Sequence, residues 1–398
     1  MPAAQDRPGG TETSQAVPFW RNPRNRAVVF QAVTLLLVFS AGYYIFVNTQ
    51  ANLQRQSIST GFGFLNREAG FGIGEALIRY SAADSYARAL LIGLLNTVKV
   101  ASIGILFTLL LGVVIGVSRL SRNWLLSRLA AAYIEVVQNI PVLLQLFFWY
   151  AIFHDVLPSP RESIQPLPGV FFNNRGFYFP MPAGHAAYAW AAAALCVAVV
   201  SNGLLRRWAR RRQERTGQLF PFWPVAVILQ IGLPLLAWYL AGAPTAMNVP
   251  ELKGFNFLGG FSLSPEFSAL LIGLVLYTSA FVAEIVRAGI QAIPRGQSEA
   301  AMSLGLKSNL VLSLIILPQA MRVIIPPLTS QMLNLTKNSS LAVAIGYPDL
   351  VSVANTTINQ TGQAIEGVLI IMVVYLMLSL ITSAYMNWYN KKKALVER

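Results

Sequence analysis

Residues 96–117 have the sequence NTVKVASIGILFTLLLGVVIGV, in which Lys99 is the only charged side chain. At a rise of about 1.5 Å per residue, a helix of this length crosses the roughly 30 Å hydrocarbon core of a bilayer. The stretch therefore predicts a transmembrane helix. We expect Lys99 to extend its ammonium group to the headgroups along an apolar stem. Gly112 and Gly116 predict close packing against another helix.

Seven other stretches are apolar over a comparable length, so the sequence predicts about eight transmembrane helices. They are 28–47, 133–153, 186–205, 220–242, 268–289, 321–345 and 368–389. The stretch 321–345 contains Pro326 and Pro327, and proline lacks the amide donor that a helix requires. We predict that the prolines break this helix and that the segment lines a pathway, because non-helical backbone at membrane depth needs protein or water around it.

The composition also indicates a membrane protein. Hydrophobic residues make up 55% and charged residues 12% of the 398 residues, and the mean hydropathy is +0.53. A soluble protein carries about 25% charged residues because polar groups must cover its surface. We therefore predict an all-α integral membrane protein. A nucleic-acid partner is not expected despite the net charge of +14, because the basic residues lie between apolar runs.

The chain offers few groups for catalysis or metal binding. It has a single cysteine, Cys196, and only two histidines. The sequence GLKS at 305–308 lacks the upstream glycine of a phosphate-binding loop, and GFGIG at 70–74 lacks the third glycine of a dinucleotide-binding loop. We expect no catalytic residue, no cofactor and no metal.

The distribution of basic residues predicts the orientation of the chain. If eight spans alternate, one side of the membrane receives 21 of the 30 Lys and Arg residues, the other side seven, and two lie within spans. Basic residues accumulate in short cytoplasmic loops. We therefore predict that both termini are cytoplasmic, with a disordered tail at 1–27 and a basic tail at 391–398.

Polar side chains within the predicted spans are candidates for a translocation pathway, because they are costly in hydrocarbon and mark functional positions. The candidates are Gln138, Asn139, Glu284, Lys337, Asn338 and Ser339. Glu284 stands three residues before Arg287, a spacing that allows an ion pair on one helix. A structural ion pair and a role in the pathway are therefore both open for Glu284.

The connection between the sixth and seventh predicted spans is amphipathic rather than uniformly polar. Ser298 is a suitable N-cap, and Glu299 in the first turn favours the helix dipole. Ala300 and Ala301 are small, so another protein can approach this backbone closely. Gly305 allows a turn between two short helices. The pattern predicts a docking helix that lies along the membrane surface.

The string EAAMSLGL at 299–306 resembles the EAA loop of ATP-binding-cassette (ABC) importer permeases. AEIVRAGIQAIPRGQ before it and LPQAMRVIIPPL after it are similar to permeases for polar amino acid uptake, as are NTVKVASIGILFTLLLGVVIGVSRLS (96–122) and EVVQNIPVLLQLFF (135–148). KNSSLA at 337–342 stands where many relatives have Lys-Asp-Thr-Ser-Leu. The resemblance covers more than half of the chain, and the long form is similar to the larger permeases of general L-amino acid importers.

The resemblance implies a five-helix ABC importer (MetI-like) permease core. The core would comprise 88–153 and 268–390, to which this chain adds a transmembrane helix at 28–47. An insert at 154–267 would contribute two further spans.

The resemblance also implies a function and a set of partners. The chain would translocate L-amino acids, polar, acidic or of broad range, across the inner membrane, and a separate subunit would hydrolyse ATP. Glu299, Ala300, Ala301 and Gly305 would couple the chain to a cytoplasmic ABC ATPase dimer. A periplasmic amino acid-binding protein, a second and different permease subunit, and membrane lipid would be the other partners.

Two other functions share the predicted spans. An ion-coupled secondary amino acid transporter would carry intramembrane charges too, although its halves normally show an internal repeat, and we find no convincing one here. An efflux or membrane-scaffold subunit is the second alternative. Dependence of uptake on an ATPase tests the first, and stimulation of ATP hydrolysis by a loaded binding protein tests the second.

Overall fold

The computed structural model describes residues 20, 22–55 and 61–393. Most of the predicted tail at 1–27 and the end of the basic tail, 394–398, lie outside the described residues. The helices are α1 (Pro23–Arg55), α2 (Tyr86–Arg119), α3 (Trp124–Asn139), α4 (Val142–Ala151), α5 (Ala186–Thr216), α6 (Phe222–Leu240), α7 (Pro265–Gln291), α8 (Arg295–Ser303), α9 (Ser308–Val311), α10 (Leu317–Asn338), α11 (Leu350–Thr361) and α12 (Ala364–Lys393).

The predicted fold class and number of spans are confirmed. In the part of the chain that the structure describes, seven helical segments are long and apolar enough to cross a membrane. They are Asn25–Asn52, Tyr86–Arg119, Ala186–Thr216, Phe222–Leu240, Pro265–Gln291, Ser308–Ile345 and Ala364–Asn390. The bent pair α3–α4 makes an eighth if it is counted as one span.

The predicted span 133–153 is not one straight helix, because α3 and α4 meet at an angle of 102°. Pro141 causes the break: it has no amide N–H for the Val137 carbonyl, and Ile140 before it is extended, with φ −99° and ψ 125°. The buried side chain of Gln145 supplies the missing donor. Its Nε2 donates to the carbonyl oxygens of Val137 at 2.9 Å and of Ile140 at 3.0 Å.

The prediction that Pro326 and Pro327 break the helix of the seventh span is wrong. Both prolines lie inside α10, which continues through them. The fixed φ of proline is compatible with a helix, so each proline removes only one amide donor there. The irregular backbone lies further along, in the 3-10 turn Ser339–Ile345, which ends at Gly346 in the left-handed conformation with φ +78°.

The centre of the bundle is the close contact between α2 and α7. A Cβ on Gly112 would lie 2.5 Å from Val282 Cγ1, and one on Gly116 would lie 2.7 Å from the Ala283 carbonyl oxygen. Real Cβ atoms do not approach other atoms so closely, so the two backbones can meet only because these positions are glycine. The close packing expected for these glycines is confirmed.

Two buried clusters attach the other core helices to α7. One joins α7 to α10 through Val282, Val286, Ala320, Ile324, Leu328 and Met332. The other includes Leu146 of α4, Leu270 and Leu274 of α7, and Tyr347 beyond the 3-10 turn. The core is therefore formed by α2, the α3–α4 pair, α7, α10 and α12, with α11 packed between α2 and α12.

The remaining spans bury little surface within the chain. None of the described α1 side chains is buried. In α5 and α6 the buried residues are Ala187, Ala198 and Ala226, and these two helices pack mainly against each other. The added spans therefore lie outside the core and leave their apolar surfaces uncovered.

The connections on either side of α5 and α6 contain short strands that the sequence analysis did not predict. They are β1 (Ile164–Leu167), β2 (Val170–Asn173), β3 (Gly176–Phe179), β4 (Met181–Pro182), β5 (Met247–Asn248), β6 (Glu251–Lys253), β7 (Asn256–Leu258) and β8 (Phe261–Leu263). An antiparallel sheet has the order β1-β2-β3-β8, and Phe177 pairs with Leu263. Since β3 precedes α5 and β8 follows α6, this sheet joins the segments on either side of the α5–α6 pair next to α7.

We predict that Gly116→Ala destabilises the protein by about 1–3 kcal/mol, because the new methyl group would overlap a backbone oxygen that cannot rotate away. Gly203→Ala is the matched control, since a Cβ on this glycine of α5 meets nothing within 4 Å. The measurement is the thermal unfolding midpoint of the detergent-solubilised protein. Equal midpoints for both variants would contradict the close α2–α7 contact.

Candidate functional site

The predicted docking segment forms helix α8, which starts earlier than expected. Ser298 is not the N-cap: it lies inside the helix, and its Oγ donates to the Arg295 carbonyl at 2.7 Å. Pro294 occupies the N-cap position. Because a proline disfavours the helical conformation of the residue before it, here Ile293, α8 begins directly after Pro294.

Gly305 terminates α8 in the way that the sequence predicts. Its φ is +82°, in the left-handed region that side chains rarely adopt. The Gly305 amide donates to the Met302 carbonyl at 2.9 Å, and the Leu306 amide donates to the Ala301 carbonyl at 3.2 Å. This pair of hydrogen bonds is the Schellman motif of a helix C-terminus. The motif fixes the direction in which the chain leaves α8 toward α9.

The surface of α8 differs from the expectation at one residue. Glu299 and Ala300 are exposed, as a docking surface requires. Ala301, by contrast, is 5% exposed and is covered by its own chain, so its side chain is not offered to another protein. Leu304, which the sequence analysis did not single out, is 84% exposed at the tip of the turn. Glu299, Ala300 and Leu304 form what we call the α8 surface.

The α8 surface is attached to two spans. Gln319 of α10 donates through Nε2 to Gln297 Oε1 of α8 at 2.7 Å. A cavity of about 510 Å³ separates α8 from the end of α7, and Gln291, Pro294 and Ser298 are among its lining residues. A displacement of α8 would therefore act on α7 through a short connection and on α10 through a side-chain hydrogen bond.

Glu284 forms the ion pair that its spacing predicts. Arg287 Nε lies 2.9 Å from Glu284 Oε2, and Arg287 Nη2 contacts the other carboxylate oxygen. Arg287 Nη1 also donates to Gln291 Oε1 at 2.5 Å. Glu284 is thus held in a polar chain that leads along the last turns of α7 toward α8.

Gln138 and Asn139 lie at the end of α3, just before the break at Pro141. Gln138 Nε2 donates to the Ala280 carbonyl of α7 at 3.2 Å. Asn139 is exposed, and its Nδ2 donates to the Glu135 carbonyl of its own helix at 2.7 Å. Gln138 therefore fastens α3 to α7, whereas Asn139 faces outward.

Lys337, Asn338 and Ser339 lie where α10 passes into the 3-10 turn. Ser339 is buried, and its Oγ donates to the Thr336 carbonyl at 2.7 Å. Lys337 is exposed, and its ammonium has no hydrogen bond or ion pair within the described ranges of the chain. It borders a groove of about 480 Å³ that Ile371, Met372, Tyr375 and Leu376 of α12 also line. No hydrogen bond or ion pair between described residues joins this group to Gln138 or Glu284.

Lys99 is not a snorkelling side chain, contrary to the expectation. Its Nζ lies 2.5 Å from Glu75 Oε1 and 4.1 Å from the centroid of the Phe267 ring. Glu75 Oε2 accepts a hydrogen bond from Ser264 at 3.0 Å. The ion pair attaches the loop before α2 to α2 and to the start of α7. Glu75 lies 24 residues from Lys99, so no local spacing in the sequence signals this pair.

A polar cavity of about 700 Å³ lies beside this ion pair, at the end of the bundle where α7 begins. Residues 71–75, Arg175 and Asn174 of the insert, Glu266 of α7 and the start of α11 line it. Neither Arg175 nor Glu266 is in an ion pair with another described residue. The cavity therefore offers both a free cation and a free anion.

Asp349 is a buried carboxylate that the sequence analysis did not identify. Its Oδ1 accepts from the Ser352 amide at 2.8 Å as the N-cap of α11, and its Oδ2 accepts from Tyr375 Oη at 3.3 Å. Burial raises the pKa of this carboxyl to about 6. An aspartate before an apolar helical run is a common N-cap, so the sequence contained a signal for it.

The chain is similar to known transport proteins along most of its length. A family model described as "binding-protein-dependent transport system inner membrane component" matches residues 108–394. The general L-amino acid transport system permease protein AapQ of Rhizobium johnstonii is 49% identical over 377 residues, which cover 95% of this chain and 94% of that protein. The putative amino-acid ABC transporter permease protein YhdX of Escherichia coli is 52% identical over 379 residues, covering 95% and 96%.

A third relative carries a more specific name. The glutamate/glutamine/aspartate/asparagine transport system permease protein BztB of Rhodobacter capsulatus is 40% identical over 408 residues, covering 94% of this chain and 95% of that protein. Matches of this coverage include the predicted insert at 154–267 as well as the predicted core.

We predict that Asp349→Asn removes a pH dependence of stability. The pKa of Asp349 is raised above the value near 4 of an unfolded chain, so its contribution to stability is full below about pH 4 and is lost as the pH rises through 6. Relative to the wild type, the asparagine variant should be similar at pH 4.5 and more stable at pH 8, by at most about 3 kcal/mol.

Asp349→Ala is the control for this prediction, because it removes the cap as well as the charge and should therefore be about 1 kcal/mol less stable than Asp349→Asn at both pH values. Thermal midpoints of the three proteins across this pH range provide the measurement. Parallel curves for the wild type and Asp349→Asn would show that Asp349 does not titrate in this window.

Proposed function

Because this chain belongs to the family of binding-protein-dependent transport system inner membrane components, and is the permease subunit of an ABC amino acid importer, we propose that α8 couples it to a separate ATPase. The observation that carries the function is the 40–52% sequence identity to amino acid permeases over nearly the full length of the chain. The matched range 108–394 includes every candidate coupling and pathway residue.

The geometry of α8 supports the coupling role. Glu299, Ala300 and Leu304 are exposed on one short helix and its turn. The Schellman motif at Gly305 makes the turn stiff, and Gln297 bonds to Gln319 of α10. When nucleotide draws two ATPase subunits together, a stiff α8 moves with them and carries the ends of α7 and α10. Ala301 contributes to the coupling by packing α8 against its own chain, because its side chain is buried.

We propose an ATPase dimer, a solute-binding protein and a second, different permease subunit as partners. The groove beside Lys337 supports the last of these. An unpaired ammonium in an apolar groove is costly in lipid, so the face formed by α10 and α12 is suited to cover by another subunit. The substrate would then pass between the two permeases, beside Lys337 and Asn338.

The proposed substrates are L-amino acids with polar or acidic side chains, or a broad range of them. The names of the relatives support this class. The polar cavity at the start of α7 is a suitable place for delivery, since a zwitterion needs a partner for each of its charges and neither Arg175 nor Glu266 forms an ion pair with a described residue. Competition of labelled glutamate uptake by a panel of amino acids would define the range.

The proposed orientation places α8 and both termini in the cytoplasm and the inserted strands outside. The 21 to 7 distribution of basic residues supports it. A cysteine introduced at Leu304 should then react with a membrane-impermeant maleimide only in inverted vesicles, and one introduced at Lys253 only in right-side-out vesicles. The opposite pattern would reverse the assignment.

The family membership does not favour the ion-coupled alternative, and one experiment separates the two functions. In proteoliposomes that contain the complete transporter, uptake should require internal ATP and should stop when the ATPase is omitted. Uptake by this chain alone, driven by an ion gradient, would overturn the proposed function.

We predict that Glu299→Lys and Leu304→Ser each weaken copurification of the ATPase about tenfold, because a few residues at the centre of an interface dominate its binding energy and these two are exposed on the α8 surface. Glu214→Lys and Leu219→Ser are matched controls, since both residues are exposed and lie outside α8. Membrane insertion should be unchanged in all four variants. Normal ATPase recovery with Glu299→Lys and Leu304→Ser would reject the coupling role.

We predict that Lys337→Gln lowers amino acid uptake at least tenfold while the complex assembles normally, because the substrate carboxylate loses a cationic partner. Lys253→Gln is the control, because Lys253 lies on the exposed strand β6. Uptake at fixed transporter density is the readout, together with recovery of the second permease. Loss of that subunit would instead assign Lys337 to the interface, and wild-type uptake would exclude it from the pathway.

A further inference from the structure

The hairpin of α5 and α6 has a fixed internal register although it packs little against the core. Asn202 of α5 donates through Nδ2 to Gln230 Oε1 at 2.8 Å and to the Ala226 carbonyl at 3.1 Å, both on α6. Polar side chains that bond across helices in an apolar environment hold the helices in register. The ends of α5 and α6 near Asn202 are therefore held at a defined separation.

The charge of α5 changes abruptly one turn beyond Asn202. Residues 186–205 are free of charge, and at about 1.5 Å per residue they span the roughly 30 Å apolar layer. Arg206 then starts a segment, RRWARRRQER, with six arginines and one acidic residue, Glu214. Trp208 and Trp223 lie at the same end of the hairpin, as aromatic residues do at a membrane interface. The arginines thus begin at the level of lipid headgroups.

A small pocket lies between α5 and α6 at this level. Its volume is about 200 Å³, and its lining residues are Arg206, Ala209, Arg210, Gln213, Phe220, Phe222 and Trp223. Arg206, Arg210 and Gln213 are spaced by four and three residues, so they share one helix face. Within the described part of the chain, neither arginine has an ion pair or a hydrogen bond, and no acidic residue lines the pocket.

We propose that this pocket binds the phosphate headgroup of an anionic phospholipid. Arg206 and Arg210 present planar guanidinium groups, which bond phosphate oxygens in pairs. Gln213 adds a neutral donor, and the aromatic rings cover the glycerol backbone. The acyl chains then lie along the exposed apolar surface of the hairpin, where Leu204 and Ile228 are 60% and 68% exposed. The insert is in this way an attachment to lipid, separate from the coupling and pathway residues.

The test uses the full-length chain with its copurified partners and native mass spectrometry. Phosphatidylglycerol and phosphatidylcholine with identical acyl chains are titrated, and the retained lipid is counted. The wild type should bind phosphatidylglycerol about tenfold more tightly than phosphatidylcholine, as expected for two basic side chains at an anionic headgroup. Arg206→Gln/Arg210→Gln should abolish this preference.

The matched control is Arg207→Gln/Arg211→Gln, which removes the same charge from the same helix at two exposed positions outside the pocket. This variant should keep at least most of the preference. An equal loss of the phosphatidylglycerol preference in both double variants would indicate diffuse electrostatic attraction instead of binding in the pocket. An unchanged preference in both variants would reject the proposal.

Competition by glycerol 3-phosphate distinguishes a lipid from a soluble phosphate. Millimolar glycerol 3-phosphate should leave the bound lipid in place, because it lacks the acyl chains that contribute most of the affinity. Its displacement of the lipid would assign the pocket to a soluble phosphate and overturn the assignment to lipid. Unchanged thermal midpoints in both double variants exclude unfolding as the cause of any loss.

Discussion

The close contact of α2 with α7 determines where the other core helices lie. Gly112 and Gly116 allow the two backbones to meet, and α7 also carries glycines where its other neighbours touch it. A Cβ on Gly273 would lie 2.6 Å from Leu146 of α4, and one on Gly289 would overlap Ile324 of α10. In lipid, the acyl chains are as apolar as the helix surfaces, so the hydrophobic effect does not drive the helices together. Helices associate there through such close packing. α7 is thus the central helix, and α8 follows directly from its end.

Several polar side chains in the spans form hydrogen bonds with backbone groups. Gln145 bonds two carbonyls freed by Pro141. Asn96 Nδ2 donates to the carbonyls of Glu75 at 2.8 Å and Pro348 at 2.9 Å, and Thr97 Oγ1 accepts from the Leu350 amide at 3.1 Å. Since irregular backbone at membrane depth must find its partners inside the protein, these residues are needed wherever the chain bends. A polar residue in a span is therefore weaker evidence for a pathway than its cost suggests.

The sequence predicted features that depend on local composition and failed where partners are distant. The length of an apolar run, the ion pair of Glu284 with Arg287 and the left-handed turn at Gly305 all depend on residues that are close in sequence. The partner of Lys99 is Glu75 on another element, and the burial of Ala301 depends on how α8 packs against its own chain. Proline has two outcomes that sequence alone does not separate. Pro141 follows a residue with extended backbone and bends the span, whereas Pro326 lies within a continuous helix.

The two lysines of the predicted spans differ in how their charges are compensated within the chain. Lys99 is compensated by Glu75 and the ring of Phe267, all within this chain. Lys337 lies in a more polar stretch, NLTKNSS, where it borders an open groove and lacks a counter-ion among the described residues. An ammonium group without a counter-ion is costly in the hydrocarbon layer. In the function proposed above, a second subunit or the passing substrate would compensate this charge in the groove between α10 and α12.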